Sequence, residues 1–308
     1  MFYYLVKKGL LFILSLLCVI TITFFIMHAI PGDPFIGEHV LSQEALDALY
    51  AHYKLDQSVW VQYIFYIKRL LSLDLGYSLV YPGIRVTELI ASAFPISAYI
   101  GLEALILSIS LGICLGAYSA LKKTTWQDTA IMSLSATLLS IPHFVAATLL
   151  QWLIAVRLGI LPIASWGSFS HTILPAISLA ILPAATIARL TRTNMVKVLE
   201  EPYIQTAKAK GLSSMQIILR HALRNTLLPT ITYLAPLVAH IALGSLVIET
   251  IFSIPGLGKW MIHSIIMRDY PLILGLTLFF SSFLMLSMFI IDMIYGLIDP
   301  RIRWSSKL

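Results

Sequence analysis

The chain has 308 residues, of which 58% are apolar and only 12% charged, and its mean hydropathy is +0.87. Those values lie far from the composition of soluble globular proteins, so a water-soluble catalytic domain is excluded and a bilayer protein with several spans of about 20 residues is expected. The formal net charge of +6 needs no nucleic-acid partner, because sidedness in a membrane accounts for it.

Hydropathy and periodicity predict six membrane spans, at 9–30, 94–121, 129–156, 171–195, 230–252 and 272–298, hence an all-α integral membrane protein. Lys7 and Lys8 precede the first apolar run. That run is long, and no small-x-small cleavage site follows it, so it reads as a retained anchor and not as a signal peptide. Six spans put both termini on one side. With the N-terminus inside, 14 Lys and Arg fall on the cytoplasmic side and seven on the other, four of those seven within one long loop, so the orientation is N-in and C-in.

The long outer loop, 31–93, carries the amphipathic patches "SQEALDALYAHYKLD" and "VWVQYIFYIKRLLSL". It is expected to be a helical insert on the extracytoplasmic membrane surface. In the second span Ser108, Gly112, Gly116 and Ala120 recur every four residues, a small-residue stripe that lets another helix approach closely. Cys18 and Cys114 both sit in apolar runs, so no disulfide framework is indicated.

After the fourth span comes the longest polar stretch of the second half, "EEPYIQTAKAKGLSSMQIILRHALRNTLLP". Pro202 suits a first helical turn, Glu200 and Glu201 suit the positive end of the helix dipole, and Lys208 and Lys210 suit its last turn. Gly211 has the place of a helix-stopping glycine. Ser213 and Gln216 have the spacing of a capping box opening a second helix, on which Arg220 and Arg224 lie four apart, and Pro229 marks the return to the membrane. Two terminated helices in a loop of this length imply a docking surface for a soluble partner.

Other chemistry is sparse. "IPGLGKW" pairs Gly with Lys but lacks the strand, the glycine spacing and the Ser or Thr of a phosphate-binding loop. The eight histidines are dispersed, without metal-ligand spacing. Polar groups at membrane depth are costly, so Glu103, His240, Glu249 and Asp292 are candidates for a translocation path, with Glu249 placed to form an outer gate. A proton-coupled transporter would show more intramembrane acids and internal repeats, and no persuasive Ser/His or Asp/Asp pair marks an intramembrane hydrolase.

Several stretches carry a resemblance: "TAKAKGLS" followed by "RHALRNTLLP", "HAIPGDP", "YKLDQSVWVQY", "LDLGYS", "LGSLVIETIFSIPGLGKWMIHSIIMRDYP" and "DMIYGLIDPRIR". The chain resembles the inner-membrane permeases of ABC importers, in the dipeptide/oligopeptide/nickel branch. It departs from that pattern at Ser58, where proline is usual, at Leu73, where glycine is usual, and at Met288, where Asn is frequent. The resemblance implies an ABC type-1 membrane domain over 86–296 containing a 196–229 coupling loop. A first helix over 1–30, the insert 31–93 and a tail 297–308 complete the division.

In that family the loop sits in a groove on an ATPase subunit. Its signature aligns with Gln205, Thr206, Ala207 and Gly211, of which Ala207 and Gly211 match its general form and the first two depart from it, Ala207 being the residue expected to pack in the groove. Lys208, Lys210, Arg220, His221, Arg224 and Asn225 complete the implied contact set. The implied partners are a second homologous permease, two ATP-binding subunits, an extracytoplasmic solute-binding protein and the lipid bilayer. No cofactor is expected in this chain. Peptide and nickel remain alternative substrates.

Overall fold

A computed structural model describes residues 2–29, 50, 54, 56–81, 83–242 and 245–298, and all the named elements are helical. In chain order these are α1 (Phe2–Ala29), α2 (Val59–Leu71), α3 (Val86–Leu121), α4 (Trp126–Ser140) and α5 (His143–Leu150), the last running into a π-helical turn at Gln151–Arg157. Then come α6 (Ser170–Leu199), α7 (Pro202–Ala209), α8 (Ser214–Ile217) with a π-helical turn at Ile218–Ala222, and α9 (Leu223–Ala242). The chain continues through α10 (Leu246–Ile251), α11 (Leu257–Ile266) and α12 (Tyr270–Ile298).

Among the described residues four helices are long and apolar enough to cross a membrane: Lys7–Ala29, Val86–Leu121, Ser170–Leu199 and Tyr270–Ile290. The segment expected as one straight span at 129–156 is instead α4 and α5, bent by 105°, and gives a fifth if the pair crosses together. The cause is local. Pro142 disfavours helical backbone at the residue before it, and Ile141 is extended, with φ −93 and ψ 125.

The segment expected as one span at 230–252 is likewise interrupted. α9 ends at Ala242, and α10 starts afresh, with the Ser245 hydroxyl accepting a bond from the Ile248 amide. α3 begins eight residues before the predicted 94, because Val86, Leu89, Ile90 and Ala93 are core residues and the helix runs on through Pro95.

Contacts divide the chain into two compact units, Met1–Ile96 with Pro255–Met285 and Ser97–Ile254 with Leu286–Leu308. In the first, Val86, Leu89, Ile90 and Ala93 pack with Leu257, Leu272 and Leu276. Phe24 and Met27 of α1 pack with Ile273 and Leu274 of α12, flanked by Tyr63 and Tyr66 of α2. The patch "VWVQYIFYIKRLLSL" thus forms α2, tied to α1 by Thr21 to the Tyr63 hydroxyl at 2.7 Å and by His28 to Gln62 at 2.9 Å. Most of the earlier patch, at 42–49, 51–53 and 55, lies outside the described residues. The loop before α3 is anchored by Asp269, whose carboxylate accepts from the Ser78 hydroxyl, from the Leu79 amide at 3.1 Å and from the Leu272 amide at 3.3 Å.

The second unit is arranged around α6, which packs against α4, α5 and α9. Ala104 and Leu105 of α3, Ala180 and Ile187 of α6, and Leu237 and Ile241 of α9 form one apolar cluster. The small-residue stripe faces α6. A β-carbon at Gly112 would lie 2.6 Å from the Ile187 Cβ, and one at Gly116 would lie 2.7 Å from the Thr191 Cβ and closer still to the Ala188 carbonyl oxygen. Cys18 and Cys114 are exposed free thiols.

Gly116→Val should therefore force α3 away from α6 and destabilise the chain by about 1–3 kcal/mol, the usual cost of overpacking. Gly9→Ala meets nothing within 4 Å and should be neutral or slightly stabilising. Thermal unfolding of the detergent-solubilised variants tests the contrast; equal midpoints would remove the stripe as a packing contact.

Candidate functional site

The polar stretch after α6 is built by local signals that act without outside help. Glu201 is extended (φ −66, ψ 145), Pro202 occupies the first turn of α7, and the helix ends at Lys210. Gly211 has φ +77, the left-handed region in which a side chain is unfavourable. Its amide bonds to the Lys208 carbonyl at 2.9 Å, and the Leu212 amide bonds to the Ala207 carbonyl at 3.3 Å, the paired closure of a Schellman motif. Ser213 and Gln216 then cap α8 reciprocally: the Gln216 amide donates to the Ser213 hydroxyl at 3.3 Å and the Ser213 amide to the Gln216 side chain at 3.0 Å.

Tertiary packing decides which face of this hairpin is available. Ile204 and Ala207 turn inward, packed with Ile217 and Ala222 of the return limb, Met195 of α6 and Ala120 of α3. Ala207 is 6% exposed. In the structure the Ala207 methyl group packs within this chain's own core, because at helical spacing it shares a face with Ile204. The exposed face carries Gln205, Thr206, Lys208 and Lys210, with Gly211 at its end. Arg220 and Arg224 are exposed and His221 is half-buried. The Asn225 side chain donates to the Tyr203 hydroxyl at 2.8 Å, pinning α7 to α9.

Sequence reasoning missed the polar contacts under this hairpin. Lys123, in the turn between α3 and α4, pairs with Glu200 at the end of α6, 2.8 Å apart, and the lysine's hydrogen bond holds the Glu200 carboxyl below its ordinary range. Asp128 of α4 pairs with Arg192 of α6 at 2.7 Å. Both acids look like first-turn or loop carboxylates in the sequence, and only α6, 64 residues from Asp128, supplies the arginine.

The membrane-depth candidates separate. Glu249 is buried, 2% exposed, and accepts from the Ser97 hydroxyl at 2.7 Å, while its backbone carbonyl accepts from the Ile254 amide at 2.8 Å and closes the turn after α10. Glu103 is half-buried and bonded to the Tyr99 hydroxyl one helical turn away on α3. The side chains of His240 and Asp292 lie outside the described residues.

The inward position of Ala207 is testable on the isolated chain. Ala207→Asp buries a carboxylate among apolar groups and should cost a few kcal/mol, lowering the unfolding midpoint in detergent. Thr206→Asp, on the exposed face, should stay within about 0.5 kcal/mol of the parent. Equal stability of the two would place Ala207 outside the core.

Comparison with known proteins bears on the whole chain. Residues 112–304 match the family model described as "Binding-protein-dependent transport system inner membrane component", and residues 1–82 match the model of the N-terminal part of such components. The chain is 45% identical over 304 residues to the dipeptide transport system permease protein DppB of Bacillus subtilis, covering 99% of each. It is 41% identical over 292 residues to the oligopeptide transport system permease protein OppB of Escherichia coli, covering 94% of this chain and 95% of that one. A dipeptide permease of Lactococcus lactis is 37% identical over 300 residues, covering 97% of this chain and 99% of its own length. With several apolar membrane-length helices, the chain is a multi-pass protein of the cytoplasmic membrane. The chain belongs to the family of binding-protein-dependent transport system inner membrane components.

Proposed function

We propose that this chain is a permease subunit of an ATP-driven importer of di- and oligopeptides, forming half of the translocation pore. The observation that carries the reading is the hairpin after α6. It is rigid by its own capping, rooted by Ile204 and Ala207 in the ends of the membrane helices, and polar on the face left outside. A free connector has no reason to be built this way, whereas a lever between a soluble motor and the membrane requires a stiff arm, a fixed root and an exposed contact face. Peptide as the substrate, in preference to nickel, is supported by the names of the relatives that match at 45% and 41% identity.

In this reading the system comprises a second homologous permease, two ATP-binding subunits that hydrolyse the nucleotide, and an extracytoplasmic solute-binding protein; this chain carries no cofactor. Both termini and the 196–229 loop are cytoplasmic, six passes cross the bilayer, and α4 with α5 and α9 with α10 supply the interrupted ones. The 31–93 insert faces the other side and serves as a platform for the binding protein or the second permease. Glu249 is the candidate for the outer gate, because a carboxylate so deeply buried beside a break between helices is costly unless its surroundings hold it.

Reversing the charge of the exposed face with Lys208→Glu and Lys210→Glu together should weaken binding of the ATPase subunits about ten-fold, about 1.4 kcal/mol, while two anions at the end of α7 should cost the isolated chain only about 1 kcal/mol through the helix dipole. Copurification of those subunits and ATP-dependent uptake of a labelled dipeptide into proteoliposomes measure it. Unchanged values for both would mean that the hairpin is a solvated connector. The purified chain alone should hydrolyse no ATP.

A further inference from the structure

Beneath the hairpin lies a polar cluster that the contact face itself does not need. The Asp128 carboxylate receives four hydrogen bonds: from the Ser119 hydroxyl on α3 at 2.5 Å, from the Thr124 amide in the turn at 3.2 Å, and from Arg192 of α6 through Nε at 3.1 Å and Nη2 at 2.7 Å. The carboxylate side chain is 7% exposed and the arginine 29%. Thr124, a β-branched residue, is held at φ +68. Backbone of that kind persists only where its surroundings over-determine it, and here the Asp128 bond to its amide does so. One residue further back, Lys123 reaches Glu200, the residue that caps the end of α6.

Three membrane helices therefore meet at one carboxylate directly behind the root of the hairpin. α6 continues covalently into α7, α3 touches the same apolar cluster as Ile204 and Ala207 through Ala120, and α4 joins them through Asp128 alone among the hydrogen bonds described here.

We infer that Asp128 is a positioning residue of the coupling step, locking the turn between α3 and α4 onto α6 so that a displacement of α7 moves α3, α4 and α6 as one body. The inference rests on the reading of that helix as the ATPase contact. A bidentate guanidinium–carboxylate pair suits the task, because it resists both sliding and rotation of the two helices, which a single-point contact does not. The Lys123–Glu200 pair, with side chains 48% and 66% exposed, is a guide and not a lock.

The test uses the whole complex, with the second permease, the ATPase subunits and the binding protein, in proteoliposomes, where dipeptide uptake and ATP hydrolysis are measured together. Asp128→Asn keeps the shape of the side chain and loses the ion pair. The complex should assemble with its usual complement of ATPase subunits, while peptide carried per ATP hydrolysed falls about 2- to 30-fold, the range for changes within a connected network. Arg192→Lys, which keeps the charge without the fork, should lie between the parent and Asp128→Asn.

An unchanged transport-to-hydrolysis ratio in both variants overturns the inference. So does failure of both to assemble, which would make the pair a fold-holding contact only. A parent complex that binds no ATPase subunits or carries no peptide would instead overturn the importer reading on which the inference stands.

Discussion

Inside a bilayer every backbone amide and carbonyl has to be satisfied by the protein itself, and the structure of this chain follows from how it meets that demand wherever a helix stops. At the break before α10 the Ser245 hydroxyl takes the Ile248 amide, and at the start of α12 the Asp269 carboxylate takes the Leu272 amide. From the start of the π-helical turn the Gln151 side chain donates to the Ile163 carbonyl at 2.8 Å and the Ile251 carbonyl at 3.2 Å. The turn before α4 leans on Asp128 in the same way. At each of these places a polar side chain close at hand takes up backbone groups that a helix would otherwise have satisfied.

The same economy governs helix packing. Between helices in lipid there is little hydrophobic drive, so close approach has to come from shape. α6 offers the necessary surface: Ala176, Ser178, Ala180, Ala185 and Ala188 are buried along it, and it receives Gly112 and Gly116 of α3 edge-on. Its buried prolines at 175 and 183 are tolerated because neighbouring helices surround them. The polar hairpin is attached to the end of this embedded helix.

That attachment gives the hairpin two faces with opposite duties. Ile204 and Ala207 pack with the ends of the membrane helices and fix the hairpin's angle, while Gln205, Thr206, Lys208 and Lys210 are turned to solvent. Because the two sets alternate on a single two-turn helix, the contact face cannot shift without disturbing the root.

Much of this was legible in the sequence, because it depends on near neighbours. Hydropathy located α1, α3, α6 and α12, since a span is a continuous run of residues; the Pro202 start, the Gly211 stop and the Ser213–Gln216 box follow from groups within four positions of one another, and the chain closed each of them as read. What tertiary structure alone decided is everything that depends on a distant partner or on direction: that Ala207 points inward and not outward, that the stripe of Gly112 and Gly116 serves α6, that α4 and α5 bend by 105°, and that Asp128 finds Arg192. Periodicity tells which residues share a face of a helix, but the face turned to the core is chosen by which neighbour arrives there, and that neighbour stands dozens of residues away in the chain.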